Sequence, residues 1–129
     1  MEEALRALLT SSAAVTAIAP AARINWGTHP QGAPLPALVL NVISDAEGLT
    51  MQGPDGLSEG RMQADAYAMT YGEAKQLSRA VRAVLHGHSG GGFDLVQHVA
   101  TRDSREGGSN EAERPFRVSL DFTTAWRAT

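Results

Sequence analysis

The stretch RMQADAYAMTYGEAKQLSRAVRAVL, residues 61–85, changes its apolar period halfway along and so predicts two different elements in succession. In its first part Met62, Ala64, Ala66 and Ala68 alternate with polar residues, which is the period of a β-strand with one buried face. In its second part the apolar residues recur at helical spacing, and they are Ala74, Leu77, Val81, Val84 and Leu85. Because the alanines of the strand are small, we expect the helix to pack against that face of the sheet.

Both ends of this helix carry terminal signals. Thr70 and Glu73 match the capping box, in which each side chain bonds an otherwise unpaired N–H at the helix start. Gly87 stands where a C-terminal glycine cap belongs. The sequence therefore predicts a helix that begins at Thr70 and ends just before Gly87.

The residues before this stretch predict two short helices and two strands. MEEALRALLTSS has an apolar helical face, and SAAVTAIAP can form a further turn or two, capped by Ser12 and stopped by Pro20. A short extended piece follows around Ile24 and Trp26. The proline-rich segment GTHPQGAPLP cannot be regular structure, and it leads into ALVLNVIS, whose length and β-branching are typical of a strand.

A hairpin is predicted within LTMQGPDGLSEGRMQADAYA, residues 49–68. Pro54 presets the first torsion of a turn, and Gly56 can take the positive φ needed to leave it, so we place the turn at Gly53 to Gly56. The distal half of this ribbon is too polar to be covered by a small core. We therefore expect residues 49–59 to form a protruding arm.

The C-terminal third predicts two further strands, FDLVQHVATR and FRVSLDFTTAW, separated by the polar and mobile linker DSREGGSNEAERP. The stretch GHSGG before them is expected to be a flexible loop between helix and strand. No internal repeat or domain boundary is visible. The predicted fold is therefore a single α+β domain over residues 1–129, with one antiparallel β-sheet, a long β-hairpin arm and helices packed on one face.

Composition limits the possible functions. The chain has 129 residues, of which 43% are apolar, and this is enough for one core. Eleven basic against fourteen acidic residues give a net charge of −3, which disfavours nonspecific binding to nucleic acid. The absence of cysteine excludes disulfides, a thiol nucleophile and a cysteine metal site. An acidic start and the lack of any apolar run near about 18 residues predict a soluble, unprocessed chain with no membrane contact.

Two catalytic or metal-binding patterns are weak. GHSGG, residues 87–91, matches the nucleophile elbow with Ser89 as nucleophile, but the elbow needs a strand before the serine and a helix after it, the reverse of the order predicted here. His86 and His88 could hold a metal if Asp94 joined them, yet histidines beside glycines are usually solvated loop residues. We therefore predict no catalytic residue, no metal site and no cofactor, and keep a small hydrolase-like enzyme as the remote alternative.

Charged residues recur on two predicted surfaces. Asp65 and Asp121 lie on the polar faces of their strands with Arg61 and Arg117, which favours a cross-strand charge lattice over a pair of catalytic carboxylates. The helix carries a basic stripe opposite its apolar face, formed by Lys75, Arg79, Arg82 and His86. The stripe is either a solvated helix face or a contact for an acidic partner or for DNA passing nearby.

The chain resembles the small tail-completion or tail-terminator proteins of long-tailed phages and gene transfer agents. Four stretches together carry the resemblance: EEALRALLTSSAAV, PQGAPLPALVLNVIS, RMQADAYAMTYGEAKQLSRAVRAVL and FRVSLDFTTAW. The resemblance covers almost all 129 residues, and its most specific parts are the strand-to-helix unit QADAYAMTYGEAKQLSRAVRAVL and the strand RVSLDF. The glycine-rich GHSGGG loop and the acidic linker depart from the expected pattern.

The resemblance implies a structural protein of the virion, and no enzyme. Proteins of this family look like α+β domains that assemble into rings, expected to be hexameric, at the head-proximal end of the tail tube. Such a ring would stop tube growth and contact the tube protein and the head connector, while DNA passes through without sequence-specific binding. Assembly would take place in the bacterial cytoplasm. A head-tail joining or head-closure adaptor of the same particle is the alternative.

A ring requires interfaces that close by rotation, and exposed strand edges or a hairpin arm can supply them. The residues predicted to form assembly contacts lie on the arm, the polar strand faces and the basic stripe. They are Met51, Gln52, Pro54, Asp55, Arg61, Asp65, Lys75, Arg79, Arg82, Arg117 and Asp121.

Overall fold

The structure, a computed structural model, describes residues 2–27, 34–50, 53–90, 92–105 and 115–127. Side chains are described throughout these ranges except at residues 45–50, 53–58, 104, 105 and 127. The helices are α1 (Glu2–Thr10), α2 (Ala13–Thr16) and α3 (Tyr71–Leu85), and a 3-10 turn covers Ala21–Arg23. The strands are β1 (Ile24–Trp26), β2 (Ala37–Thr50), β3 (Gly53–Ala68), β4 (His88–Gly90), β5 (Phe93–Arg105) and β6 (Phe116–Arg127).

The described strands form one six-stranded sheet in the order β1-β2-β3-β6-β5-β4. Every neighbouring pair is antiparallel except β1 and β2, which are parallel. The α+β class is confirmed, but the prediction of a purely antiparallel sheet is wrong. Residues 27–36 between these two strands are long enough to return the chain to the same end of the sheet, whereas a tight turn would have imposed antiparallel pairing.

The core lies between α3 and one face of the sheet. Met62, Ala64, Ala66 and Ala68 of β3 are buried there, as the alternation in the sequence predicts. The buried residues of α3 are Ala74, Leu77, Ser78, Val81 and Leu85. The alanine row allows a close approach of helix to sheet, and the larger side chains of β6 and α3 fill the remaining volume.

The N-terminal helices join the same face. Leu5 and Leu9 of α1 and Val15 of α2 are fully buried in the common core. The Arg6 guanidinium donates to the Ile24 carbonyl oxygen at 2.8 Å and so links α1 to β1. The described helices therefore lie on one side of the sheet and leave its other face without a helix.

At its start α3 has one of the two predicted capping-box bonds, and at its end Gly87 takes the predicted left-handed conformation. The Thr70 hydroxyl accepts a hydrogen bond from the Glu73 N–H at 3.2 Å and donates to the Glu73 carboxylate at 3.3 Å. Gly87 has φ +79°, a left-handed conformation that favours glycine, and its N–H donates to the Val96 carbonyl oxygen at 2.7 Å. The helix is thus capped at its start and turned directly onto β5 at its end.

The hairpin prediction is correct in kind and wrong in the position of the turn. The β2–β3 ladder continues to Thr50 paired with Gly53, so Pro54 and Gly56 lie within β3 and not in the turn. Cross-strand pairing along the whole ladder sets this register and outweighs the local turn signal. Proline is tolerated at this point because the β6 ladder begins only at Leu57, so the Pro54 nitrogen has no ladder partner there to lose.

Two further loop predictions are corrected by strand pairing. His88–Gly90 form β4, which pairs with the start of β5, so GHSGG is not simply a flexible loop. Strand β5 continues to Arg105 because it pairs with β6 along its whole length, and residues 103–105 therefore belong to a strand and not to the linker. Residues 106–114 lie outside the described residues.

Candidate assembly surfaces

The helix-free face of the sheet carries a network of polar side chains. The Gln63 amide donates to the Asp65 carboxylate at 2.8 Å. Arg102 forms an ion pair with Asp121 at 3.2 Å and also donates to the Gln63 side-chain oxygen at 3.4 Å. Three strands, β3, β6 and β5, therefore share one hydrogen-bonded lattice on this face.

The lattice was predicted from the sequence, but with different cations. Asp121 pairs with Arg102, which was not singled out, whereas Arg61 is exposed and borders the same depression. A bulge between His98 and Ala100 sets the register that places Arg102 next to Asp121. Only the pairing of β5 with β6 reveals this partner, because sequence alternation alone does not determine register.

Among the predicted interface residues whose side chains the structure describes, Asp65 is the most enclosed. It is 4% exposed and lies between Val39 and Ser119, its partners on the two neighbouring strands. Its carboxylate therefore organises the face from within and offers little surface to a partner. Arg117 on the same face is half-buried.

The predicted basic stripe of α3 divides into two parts. Arg79, Arg82 and His86 are exposed, and the three border one shallow depression. Lys75 instead forms an ion pair with Asp103 of β5 at 2.9 Å, and the Tyr71 hydroxyl donates to the same carboxylate at 2.8 Å.

Each partner changes the titration of the other in this cluster. Hydrogen bonds from Lys75 and then Tyr71 hold the pKa of Asp103 below its usual value, and the bond to Asp103 raises the pKa of Lys75. Lys75 is therefore occupied in holding α3 on β5. Neither Tyr71 nor Asp103 had been identified from the sequence, because the two lie on elements far apart in the chain.

His86 is occupied by the backbone of β5. Its Nδ1 accepts a hydrogen bond from the His98 N–H at 3.0 Å, and His98 Nε2 lies 2.7 Å from the Thr101 hydroxyl. Burial, followed by the charges of Arg82 and His86, lowers the pKa of His98. Within the described residues no group of three or more His, Asp or Glu side chains could hold a metal ion.

Ser89 lies in β4, directly after a helix and before a strand, and so lacks the backbone order of a nucleophile elbow. Among the described side chains, no hydrogen bond joins any two of the candidate catalytic groups. Those groups are Ser89, His86, His88, Asp65 and Asp121. The geometry therefore brings together no nucleophile and base. None of the helices in the described ranges is long and apolar enough to cross a membrane.

The predicted hairpin arm lies only partly within the described residues. Met51 and Gln52 lie outside the described residues, and Pro54 and Asp55 are placed in β3 without a description of their side chains. Strand β3 pairs with β6 from Leu57 onward, so the part of the hairpin that extends past β6 is shorter than the predicted arm of residues 49–59. A protruding arm that makes assembly contacts stays a prediction.

Strands β2 and β5, the outer two of the four long strands, are each covered by a short strand along only part of their length. Strand β1 pairs with β2 from Leu38 to Leu40, and the remainder of β2 has no further partner strand within the described chain. On the opposite side, β4 pairs with β5 only as far as Val96, and His86 takes the His98 N–H. We call residues 41–50 the open half of β2 and residues 99–105 the open half of β5.

Each open half contains an exposed β-branched residue at a β-bulge. Ile43 lies at the irregularity between Val42 and Ser44 and is 56% exposed. Val99 lies at the irregularity between His98 and Ala100 and is 47% exposed. Apolar side chains beside unpaired strand backbone are suited to contact another polypeptide.

Comparison with known proteins agrees with the resemblance drawn from the sequence. By structure, the chain is similar to a chain in the virion of a native gene transfer agent particle, with a TM-score of 0.64 and 18% identity over 96% of this chain and 92% of that chain. At that identity the similarity shows a shared fold. No curated protein matches the chain significantly. Residues 3–127 match the family model described as tail completion protein gp17. Because this match covers nearly the whole sequence, the chain belongs to the tail completion protein gp17 family.

Proposed function

We propose that this protein forms a ring, expected to be a hexamer, at the head-proximal end of a tail tube. There it stops tube polymerisation and joins the tail to the head connector. Membership of the tail completion family gives it a structural role in tail assembly, and this match over residues 3–127 is the observation that carries the proposal. Residues 1–129 act as one domain, without a catalytic step or a cofactor.

The partners follow from this position in the particle. They are further copies of the chain, the tail tube protein and a connector or adaptor of the head, assembled in the bacterial cytoplasm. DNA passes through the ring without sequence-specific contacts. The net charge of −3 and the ion pair between Arg102 and Asp121 support weak contact with DNA. A surface with few cations, one of them already paired with a carboxylate, does not hold phosphates strongly.

Deleting the gene in the producing cells and imaging the particles tests the proposal. Loss of a terminator leaves tubes that are overlong or unfinished at one end. Loss of a head-tail adaptor, the alternative function, leaves tails of normal length that fail to attach to heads. Normal particles from the deletion strain would contradict both functions, and the wild-type gene on a plasmid is the control.

The hairpin arm can be tested in the same strain. Glu47 pairs with Ser58, so replacing residues 48–57 with a two-residue turn shortens the ribbon and keeps most of the β3–β6 ladder. We expect a folded protein that fails to complete tails, because an isolated two-stranded ribbon gains its order from a partner. Normal tails from the shortened protein would show that the assembly contacts lie elsewhere, at the sheet edges or at residues 104–114.

A further inference from the structure

The two open strand halves lie at opposite ends of the same sheet. Asn41 pairs with Gln63, Gln63 with Asp121 and Asp121 with Ala100, so Asn41 and Ala100 occupy one row. From that row the open half of β2 extends toward one end of the strands, and the open half of β5 extends toward the other. The covered halves, under β1 on one side and under β4 and His86 on the other, are likewise placed diagonally.

We propose that the open half of β5 in one copy pairs, antiparallel, with the open half of β2 in the next copy, so that one sheet continues from copy to copy. This inference rests on the proposed ring and names its self-contact. The occupant is a second copy of this chain, because the two open halves lie at opposite ends of the sheet and run in opposite directions, so the one can pair with the other when copies are offset along the strands.

Strand direction supports the pairing. Strands β2, β3, β6 and β5 alternate in direction, since each neighbouring pair is antiparallel. Strand β5 therefore runs opposite to β2. A rotation that relates copies in a ring about an axis roughly along the strands preserves these directions. The junction between β5 and the next β2 thus has the same antiparallel geometry as the ladders inside each copy.

The diagonal placement sets the offset between copies. The side chains of neighbouring strands share a face only if the offset is an even number of residues. An offset of about four residues, or about 13 Å at about 3.3 Å per residue, brings most of the two open halves together. Four strands at about 4.8 Å spacing make each copy about 19 Å wide. The ratio corresponds to a strand tilt of about 35° against the ring axis, at the lower end of the range of about 35–45° that closed sheets adopt.

The hand of the offset indicates which face lies inside. Strand β5 is parallel to β3, and the connection through α3 is expected to be a right-handed crossover. Seen from the helix side with β3 pointing up, β5 then lies to the right of β3. The open half of β5 is its upper half and the open half of β2 is its lower half, so the next copy, to the right, must be displaced upward. Strands displaced in this way coil in a right-handed sense, as in closed sheets, when the helices are on the outside. The helix-free face, with Gln63, Arg102 and Asp121, therefore lines the lumen.

Cysteine cross-linking tests the contact directly, because the chain has no native cysteine. A four-residue shift places Ala46 of one copy next to Ala100 of its neighbour, and both are in phase with the residues of the helix-free face. We would prepare A46C and A100C as single variants and as a double variant, and treat them with a short bismaleimide in purified protein and in assembled tails. Ser89 is exposed on β4, the strand that pairs with the other half of β5, so S89C combined with A46C is the matched control.

A mixture of the A46C and A100C proteins should cross-link as a heterodimer, and each protein alone should give no cross-link. The double variant should give a ladder of oligomers that ends at the ring number, and the S89C control should give none. Self-linking of either single variant would overturn the proposal, because it requires a two-fold contact between like edges. The proposal is also overturned if completed tails contain the protein but A100C links to none of positions 44, 46 and 48.

Failure of the proposed function has a different signature. If the deletion strain completes its tails without this protein, the ring at the tail end is wrong whatever the cross-links show. If tails depend on the protein but these edges do not cross-link, only the edge contact is wrong. Circular dichroism of each variant establishes that the cysteines leave the fold unchanged.

Discussion

The two faces of the sheet are built from the same strands but are held by different forces. The face under the helices is apolar and closed, with Ala64 and Ala66 of β3 fully buried against α3. The opposite face joins Gln63, Arg102 and Asp121 by hydrogen bonds and an ion pair. Burial of apolar area contributes far more per residue than partly exposed polar contacts do. One face therefore supplies most of the stability, and the other is held by polar contacts that leave it partly exposed.

The largest effect is expected at Leu77, which is fully buried on the helix-covered face. Leu77→Ala should lower the free energy of unfolding by about 2–5 kcal/mol, because it removes the side chain and leaves a cavity. Urea denaturation measures this loss. The control Gln76→Ala, one position along on the exposed side of α3, should change stability by less than about 0.5 kcal/mol. Equal effects would mean that the buried helix face is assigned wrongly.

A smaller loss of stability is expected from a substitution at Gly92, the residue immediately before β5. Gly92 has φ +98°, and an added Cβ would lie 2.5 Å from the Trp126 indole. Gly92→Ala should therefore cost about 1–3 kcal/mol in strain and repacking. Gly72 is the matched control, because a Cβ there meets nothing within 4 Å and alanine favours the helix. A melting temperature unchanged by Gly92→Ala would contradict the close packing on Trp126.

On the helix-free face, Arg102→Met should remove the ion pair with Asp121 and cost about 0.2–1 kcal/mol. The value is small because the Arg102 side chain is largely exposed and water screens the pair. Arg61→Met, on the same face and without an ion pair among the described residues, should be neutral. A loss above about 2 kcal/mol for Arg102→Met would mean that this face is a second core, and the contrast between the faces would fail.

The pair of Lys75 and Asp103 predicts a pH dependence. The pKa of Asp103 is lower in the folded protein than its ordinary value of 3.8. The ion pair therefore contributes its full stabilisation above pH 3.8 and loses it as the pH falls through the lowered pKa. The pKa of Lys75 is raised above 10.5, so the same stabilisation is also lost when the pH rises beyond 10.5 and through the raised pKa. Lys75→Met should thus cost about 0.5 kcal/mol at neutral pH and nothing in strong acid. A stability difference that stays constant with pH would contradict the ion pair.

The smallest effects are expected in β4, where the stretch GHSGG resembles a nucleophile elbow. Ser89→Ala and His88→Ala should leave folding and tail assembly unchanged, because Ser89 follows a helix and has no hydrogen bond to a described base. Particle yield and transfer or infectivity measure the result. Loss of activity with a folded protein in either variant would reopen the enzymatic interpretation.

Much of the fold was predictable because it depends on local periods. The alternation from Met62 to Ala68, the helical spacing after Thr70 and the cap at Gly87 each specify an element from residues close in the chain. The α+β class and the helix-covered face follow from these patterns. The resemblance to the family has its most specific part in this strand-to-helix unit, and the family match extends over residues 3–127.

The features that the sequence did not determine depend on which strands become neighbours. The parallel pairing of β1, the pairing of Thr50 with Gly53 and the lattice around Arg102 are results of register and strand order. The same is true of the two half-open edges, which exist only because β1 and β4 cover different ends of the sheet. Local sequence determines what each segment can form, whereas contacts between distant segments, summed over the whole sheet, select the register and decide which strand edges stay open.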